Sequence, residues 1–275
     1  MTLPSALYYV DLGNGTPLLL VHGGLSNGRA TWDRQIATLP SIHRLLVPDR
    51  RGHGRSPREP RPYTIDSDAA DMLHIADLAG AEKVHLGGHS YGGLVALEAA
   101  LRAPERVLSL HLIEPPYLSL LPDDPDVRAL DQRVRKIRTE GEERGPEWVA
   151  AEFLAALSGP ETARRARSSA TWPLLVREAS RLLHEEYAGD YPSERLQGLS
   201  LPVPVRVYTG GRSHPALNKV ARKVSERIGG SRLVKVADAG HAVQTQEKRF
   251  DAELLAVTMD TTAHALPPEW ERCQG

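Results

Sequence analysis

The sequence lacks several features that identify common protein classes. Its 275 residues contain a single cysteine, Cys273, so they cannot form a disulfide among themselves. The formal net charge is −1 at pH 7 and no long basic run occurs, which argues against nucleic acid or an anionic membrane as a partner. No apolar run approaches the roughly 20 residues of a membrane-spanning helix. The aromatic content of 5% argues against an extended polysaccharide-binding face.

The first residues also do not have the pattern of a signal peptide. Residues 1–9 have neither the basic start nor the apolar core of a signal peptide. The single cysteine fits a reducing compartment. These features together predict a soluble, cytoplasmic protein.

Short apolar runs alternate with helical patterns along most of the chain. Short, mostly apolar runs are typical of strands buried on both faces of a parallel sheet, and the run 16–21 is the continuous example. Such strands are predicted at 16–21, 43–47, 84–86, 107–113, 203–209 and 233–236, with an edge strand at 6–11. Helical periodicity is present at 29–39, 66–78, 93–101, 216–228 and 247–257. This alternation predicts an α/β protein with a doubly wound, mostly parallel sheet.

The segment 117–196 differs in character, because it is charged and helix-rich and has no convincing strand. Helices are predicted at 126–140, 147–157 and 162–186, the last one broken at Pro173. We interpret this segment as an inserted helical cap. The core then comprises 1–116 and 197–262, and a polar tail covers 263–275.

A Gly-x-Ser-x-Gly motif lies between the apolar run 84–86 and the helix predicted at 93–101. Strand, motif and helix in this order indicate a nucleophile elbow, a tight turn that exposes the hydroxyl of Ser90. Gly88 and Gly92 flank the serine because the turn leaves no room for side chains there. The helix N-terminus behind it favours negative charge on a bound group.

A serine hydroxyl needs a base within hydrogen-bond reach, and the base needs a partner that fixes its tautomer. His241 is the best candidate for the base, because it follows the last predicted strand on a loop with a glycine hinge. His53 and His89 are the competitors. His53 lies in an arginine-rich loop, and His89 precedes the serine and should point away from the attacked face.

The acidic partner is less obvious from the sequence. No acidic residue occurs between Glu194 and Glu226, where a carboxylate after the strand 203–209 would be expected. Glu114 ends the preceding strand at the same edge of the sheet and is our predicted acid. Asp238 is the alternative, although a carboxylate three residues before His241 is more often a loop-capping group.

Two backbone amides are predicted to bind the oxyanion of a tetrahedral intermediate, those of Gly24 and Tyr91. Gly23 and Gly24 also allow the backbone to approach a substrate closely. Aromatic side chains of the cap either pack its interior or line a pocket beneath it. The predicted substrate-binding residues are Gly23, Tyr117 and Trp172.

These motifs, together with HGG at 22–24, DRRGHGRS at 49–56 and Gly240-His241, resemble the α/β-hydrolase superfamily in order and spacing. The resemblance implies a nucleophile at Ser90, a base at His241 and an oxyanion hole at Gly24 and Tyr91. The missing acid after the strand 203–209 departs from the usual pattern. Some members, including certain lactone hydrolases and dehalogenase-like proteins, carry the acid one strand earlier, and Glu114 matches that position.

The expected function is therefore hydrolysis of an ester or lactone of a small organic molecule, with no metal and no cofactor. Two alternatives remain open at this point. One keeps the catalytic triad of Ser90, His241 and Glu114 but performs acyl transfer, cyclisation or lyase chemistry in natural-product metabolism. The other is a non-catalytic ligand-binding protein on a hydrolase scaffold. The sequence does not indicate the oligomeric state.

Overall fold

Seven strands form a single sheet in the computed structural model, which describes residues 7–58, 63–246 and 248–259. In chain order the strands are β1 Tyr9–Leu12, β2 Pro17–Val21, β3 Arg44–Pro48, β4 Val84–His89, β5 Val107–Ile113, β6 Val205–Gly210 and β7 Arg232–Val236. Their order across the sheet is β1-β3-β2-β4-β5-β6-β7. Among the described strands only β1, at one edge, runs antiparallel to its neighbour, so the predicted mostly parallel sheet is confirmed. The predicted tail 263–275, with Cys273, lies outside the described residues.

The central strands are mostly apolar because both faces of the sheet are covered. In β2, Leu19 and Val21 belong to one hydrophobic cluster, whereas Leu18 and Leu20 belong to a second cluster on the other face. Successive side chains of a strand point to opposite faces, so a strand buried on both sides carries a polar side chain only where that group finds a hydrogen-bond partner.

The helices of the core lie at both faces of this sheet. They are α1 Gly28–Thr31, α2 Asp33–Thr38, α3 Ile65–Leu78 and α4 Tyr91–Arg102, and, after the insertion, α9 Pro215–Arg227, α10 Val243–Gln246 and α11 Lys248–Thr258. The single helix predicted at 29–39 is wrong, because Trp32 leaves the helical conformation with φ −114° and ψ 19°. Its fully buried indole packs near Phe250 of α11, so tertiary packing overrides the local helical pattern.

The insertion between β5 and β6 contains four helices, α5 Pro125–Arg144, α6 Pro146–Ser158, α7 Pro160–Arg167 and α8 Trp172–Leu182. Two 3₁₀ turns, Ala188–Asp190 and Ser193–Leu196, then lead back to the sheet. The predicted break at Pro173 is wrong, because the chain breaks at 168–171 instead. Pro173 lies in the first turn of α8, where its missing N–H removes no helical hydrogen bond. Across the described ranges, no helix is long and apolar enough to cross a bilayer.

A chain of buried polar groups crosses the sheet beneath β4, β5 and β6. Ser109 Oγ lies 2.7 Å from His85 Nδ1 and 2.9 Å from His111 Nε2. The other nitrogen of His111 lies 2.9 Å from the hydroxyl of Tyr208. Burial, with smaller contributions from His85 and Arg206, lowers the pKa of His111 to about 3. The ring is therefore neutral in the folded protein and takes up its proton only on unfolding.

We expect His111→Gln to weaken the pH dependence of stability. A base with a depressed folded pKa stabilises the protein above its unfolded pKa of about 6.5 and loses that contribution as the pH falls below it. At pH 5 the loss is about 2 kcal/mol for one such histidine. Urea unfolding at pH 8 and pH 5 measures the difference. If the free energy of unfolding changes equally between pH 8 and pH 5 in wild type and His111→Gln, the lowered pKa of His111 is contradicted.

Candidate active site

The nucleophile elbow predicted around Ser90 is a strained turn between β4 and α4. Ser90 has φ 53° and ψ −125°, a backbone conformation that residues with a side chain rarely adopt. Its N–H donates to the carbonyl of Ile113 at 2.8 Å, and its carbonyl accepts from Gly93 N–H at 2.7 Å. These two hydrogen bonds tie the turn to β5 and to the first turn of α4.

The glycines on each side of Ser90 are required by contact with backbone atoms. A Cβ at Gly88 would lie 2.0 Å from the carbonyl oxygen of Gly92, and a Cβ at Gly92 would lie 2.4 Å from that of His22. Neither backbone oxygen can move aside as a flexible side chain would.

We expect Gly92→Ala to lower the free energy of unfolding by about 1–3 kcal/mol or more, because overpacking against backbone forces the elbow away from β2. Gly229→Ala is the matched control, since its Cβ would meet its nearest atom at an ordinary 3.6 Å. Chemical denaturation of both variants makes the comparison. Equal stability of the two variants would show that the close approach at Gly92 is unimportant.

Glu114 and His241 are brought together at the carboxyl ends of the strands. His241 Nδ1 lies 2.7 Å from Glu114 Oε2. Glu114 Oε1 accepts hydrogen bonds from Thr209 Oγ1 at 2.9 Å and Gly210 N–H at 2.7 Å. Glu114 is fully buried and has φ 46°, so the backbone turns sharply at the end of β5. A carboxylate on Nδ1 assigns the proton to that nitrogen and leaves Nε2 as an acceptor.

The competing residues lie elsewhere. Asp238 is exposed, and its carbonyl accepts a hydrogen bond from Arg212. His53 is buried among Arg50, Glu178 and Glu185, away from the His241 loop.

The expectation for His89 is wrong, because its side chain lies beside the site. Its ring centroid is 4.8 Å from that of His241, and its Nε2 donates to the His241 carbonyl at 3.1 Å. Burial and the neighbouring His241 lower the pKa of His89 to about 3, so it is a neutral donor that supports the loop.

The predicted oxyanion loop follows β2 and is held by a buried arginine. Arg50 donates to the carbonyls of His22 and Gly23, each at 3.2 Å, and its own N–H donates to His22 Nε2 at 2.9 Å. These hydrogen bonds hold the backbone of His22 and Gly23 in place. Gly24, the next residue, lies at the surface of a cavity. Tyr91 is the first residue of α4, so its N–H has no partner within the helix.

Arg50 is the centre of a buried charged cluster that connects the insertion to the core. It donates to Asp68 at 2.7 Å and to Glu185 Oε1 at 2.5 Å. His53 lies 2.6 Å from the same Glu185 oxygen and 3.2 Å from Glu178. Burial acts to raise the pKa of Glu185, but Arg50 and His53 outweigh it and lower that pKa to about 2.

This cluster was not predicted from the sequence. Glu185 and Glu178 belong to the insertion and lie more than a hundred residues from Arg50 and His53 along the chain. The only signal in the sequence was the concentration of arginine and histidine at 49–56.

Two cavities meet at Ser90, Gly24 and His241. The smaller has a volume of about 50 Å³ and lies beneath the insertion; apolar side chains form most of its wall, including Leu118, Leu130, Leu157 and Leu182. The larger has a volume of about 570 Å³, and its wall includes Gly23, Ser26, Thr31 and Arg212. Ser90 and His241 thus face the same two spaces.

Two of the predicted substrate-binding residues are placed differently. Tyr117 is fully buried, packs against Tyr191 and donates to the carbonyl of Pro192, so it supports the return of the insertion to the sheet. Trp172 packs against the hydrophobic core beside Arg167. Neither belongs to the wall of the two cavities, whereas Gly23 does. An aromatic ring near a site more often packs than binds, because burying its large apolar surface is favourable.

A sheet of this order, a serine elbow after β4 and a histidine after β7 define an α/β protein of the hydrolase type. The model of the alpha/beta hydrolase fold family matches residues 16–248, and the chain belongs to this family. In the part of the chain that the structure describes, no group of three or more histidine, cysteine, aspartate or glutamate side chains is arranged to hold a metal ion.

Named relatives match part of the chain. It is 43% identical over 107 residues to the putative carbamate hydrolase RutD of Azorhizobium caulinodans, a match that covers 39% of this chain and 40% of that protein. It is 39% identical over 98 residues to lipase LipV of Mycobacterium tuberculosis, covering 36% of each. The chain therefore spans less than half the length of these relatives.

Solved structures match nearly the whole chain. A thermophilic esterase from Thermogutta terrifontis superposes with a TM-score of 0.69 at 26% identity, covering 92% of this chain and 94% of that one. Est816, described as an N-acyl homoserine lactone degrading enzyme, superposes with a TM-score of 0.67 at 21% identity over 92% of this chain and 96% of that one. The second likeness supports the fold alone.

Proposed function

We propose that the protein is a serine hydrolase that cleaves an ester or lactone of a small organic molecule through an acyl-enzyme. The observation that carries the proposal is the Glu114–His241 pair at 2.7 Å, with His241 and Ser90 on the wall of the same cavities. A buried carboxylate on Nδ1 supplies what a general base needs, a fixed tautomer and a counter-charge for the imidazolium.

In this mechanism Ser90 Oγ attacks the substrate carbonyl while His241 Nε2 accepts the hydroxyl proton. The oxyanion lies against the N–H groups of Gly24 and Tyr91. As the intermediate collapses, the bond to the leaving oxygen breaks, and His241 gives that oxygen its proton. Water then attacks the acyl-enzyme, His241 accepts its proton, and the acid is released as Ser90 regains the proton.

The sizes of the two cavities suggest which part of the substrate each one binds. The smaller has room for roughly three to five water-sized groups, so it suits a short acyl chain, and we call it the acyl cavity. The larger, more polar cavity then takes the leaving group. In this proposal the helical segment 117–196 acts as a cap, because Leu130, Leu157 and Leu182 close the acyl cavity from above.

Carbamate hydrolysis is a second candidate, favoured by the identity to the putative carbamate hydrolase of Azorhizobium caulinodans. Its carbonyl would meet the same serine, base and oxyanion hole. The partial coverage of that relative leaves the substrate to be decided by assay.

Labelling by a fluorophosphonate tests the proposal directly. We expect stoichiometric modification at Ser90, found by mass spectrometry of the tryptic peptide, and faster hydrolysis of p-nitrophenyl acetate and butyrate than of the decanoate. Adding methanol during turnover distinguishes hydrolysis from acyl transfer, because a transferase would form the methyl ester. Absence of both labelling and turnover would favour a binding protein on a hydrolase scaffold.

A further inference from the structure

One oxygen of a buried carboxylate at the edge of the acyl cavity has no hydrogen-bond partner in the part of the chain that the structure describes. Glu185 is 4% exposed and belongs to the cavity wall. Its Oε1 accepts from both Arg50 and His53, whereas its Oε2 has no hydrogen-bond partner among the described residues. Burying a carboxylate oxygen in this way is costly, so the position calls for a donor from outside the chain.

This oxygen lies next to the predicted oxyanion loop. A Cβ built on Gly24 would come within 3.2 Å of Glu185 Oε2. Since Gly24 and Ser90 belong to the wall of the same cavity, the oxygen is close to the space where an acyl group would lie. Any side chain at position 24 would obstruct the approach of an acyl group to Glu185 Oε2.

Tyr91 lies near Glu185, because the Arg50 guanidinium that donates to Glu185 lies 4.4 Å from the centre of the Tyr91 ring. The hydroxyl of Tyr91 is buried and has no hydrogen-bond partner among the described residues, and Tyr91 also belongs to the cavity wall. Burial, and then the charge of Glu185, raise the pKa of Tyr91 well above its usual range, so the phenol keeps its proton and donates. Glu185 and Tyr91 thus supply an acceptor and a donor without partners among the described residues, in two side chains of a mostly apolar cavity wall.

We infer that Glu185 determines specificity by accepting a hydrogen bond from a hydroxyl on the acyl part of the substrate, while the Tyr91 phenol donates to the same hydroxyl. This inference rests on the proposed hydrolase function and names its substrate class, esters of short hydroxyacids. A hydroxyl is favoured because it is both a donor and an acceptor. A carbonyl in its place would set oxygen against a carboxylate.

The variant Glu185→Gln places a hydrogen-bond donor at the position of Oε2, which is an acceptor, with little change in shape. Arg50 and His53 donate to Oε1, so they hold the amide oxygen there and direct the amide N–H₂ to the place of Oε2. Glu178→Gln is the matched control. Glu178 is a buried carboxylate of the same cluster that contacts His53 from the other side, and it does not belong to the cavity wall.

The test measures kcat/KM for two ester pairs, ethyl 3-hydroxybutanoate with ethyl 3-oxobutanoate and ethyl 2-hydroxypropanoate with ethyl 2-oxopropanoate. We expect the hydroxy-to-oxo ratio of at least one pair to fall by about ten- to a hundredfold in Glu185→Gln, the range for a hydrogen bond to a charged group. The ratio should be unchanged in Glu178→Gln. Comparing variants cancels the different intrinsic reactivities of the esters.

Three results would overturn the inference. They are an unchanged ratio for both pairs in Glu185→Gln, an equal change in Glu178→Gln, or a wild-type enzyme that hydrolyses the ethyl esters of the parent acids as fast as those of the hydroxyacids. Failure of the wild type to hydrolyse any ester would instead count against the proposed function.

A binding measurement keeps the inference testable if Glu185→Gln does not fold or if no ester turns over. Calorimetric titration of wild type and Ser90→Ala with 3-hydroxybutanamide and 3-oxobutanamide should show tighter binding of the hydroxy compound. Equal binding of the two amides would overturn the inference independently of catalysis.

Discussion

Replacing Ser90 with alanine is expected to lower kcat for p-nitrophenyl butyrate by about 10⁴- to 10⁶-fold. In the proposed mechanism Ser90 Oγ forms the acyl-enzyme, and the variant removes this atom while the proposed oxyanion donors and the cavity remain. Residual activity would come from water held near His241. The measurement is steady-state kinetics on purified wild type and variant, with fluorophosphonate labelling of both.

The control separates catalysis from folding. Ser109→Ala removes another buried serine hydroxyl, in β5, which bonds to His85 and His111. It should change stability and leave kcat close to that of wild type. Retention of more than a tenth of the wild-type kcat in Ser90→Ala would remove the serine from the mechanism and with it the proposed function.

Glu114→Gln is expected to lower kcat by about 10³- to 10⁴-fold. The amide oxygen can still accept from Thr209 and Gly210, so the amide nitrogen faces His241 Nδ1. That nitrogen donates, which forces the histidine proton onto Nε2. A ring protonated at Nε2 cannot accept the proton of Ser90, although every atom lies nearly where it was.

Asp238→Asn is the matched comparison, because Asp238 is the other acidic residue considered for this role and is exposed. We expect it to retain wild-type kcat. NMR of the imidazole nitrogens gives an independent readout of the tautomer in Glu114→Gln. Equal losses in the two variants, or none in Glu114→Gln, would rule out Glu114 as the group that orients His241.

Much of the fold was predictable from the sequence, for a local reason. A strand covered on both faces is mostly apolar along its length, so the run 107–113 predicts the bounds of β5 correctly although it includes Ser109 and His111. Helix ends were less predictable. The interruption at Trp32 and the break at 168–171 depend on what packs against them rather than on the residues themselves.

The candidate site, like the fold, was predictable from the sequence only in part. The sequence by itself determined the elbow at Ser90, because only glycine is compatible with backbone atoms within 2.0–2.4 Å of a would-be Cβ. It also determined the order of residues along the strand ends, which led to Glu114 as the partner of His241. The carboxyl ends of parallel strands lie at one edge of a sheet, so chain order alone places them together.

Only the tertiary structure decided what surrounds this edge. The insertion folds back across the sheet, so Glu185 meets Arg50, 135 residues earlier in the chain, and reaches the acyl cavity. Tyr117 and Trp172 pack into the protein instead. Such contacts depend on how whole helices pack over the sheet, and side-chain packing of that kind has no fixed spacing in a sequence from which it could be read.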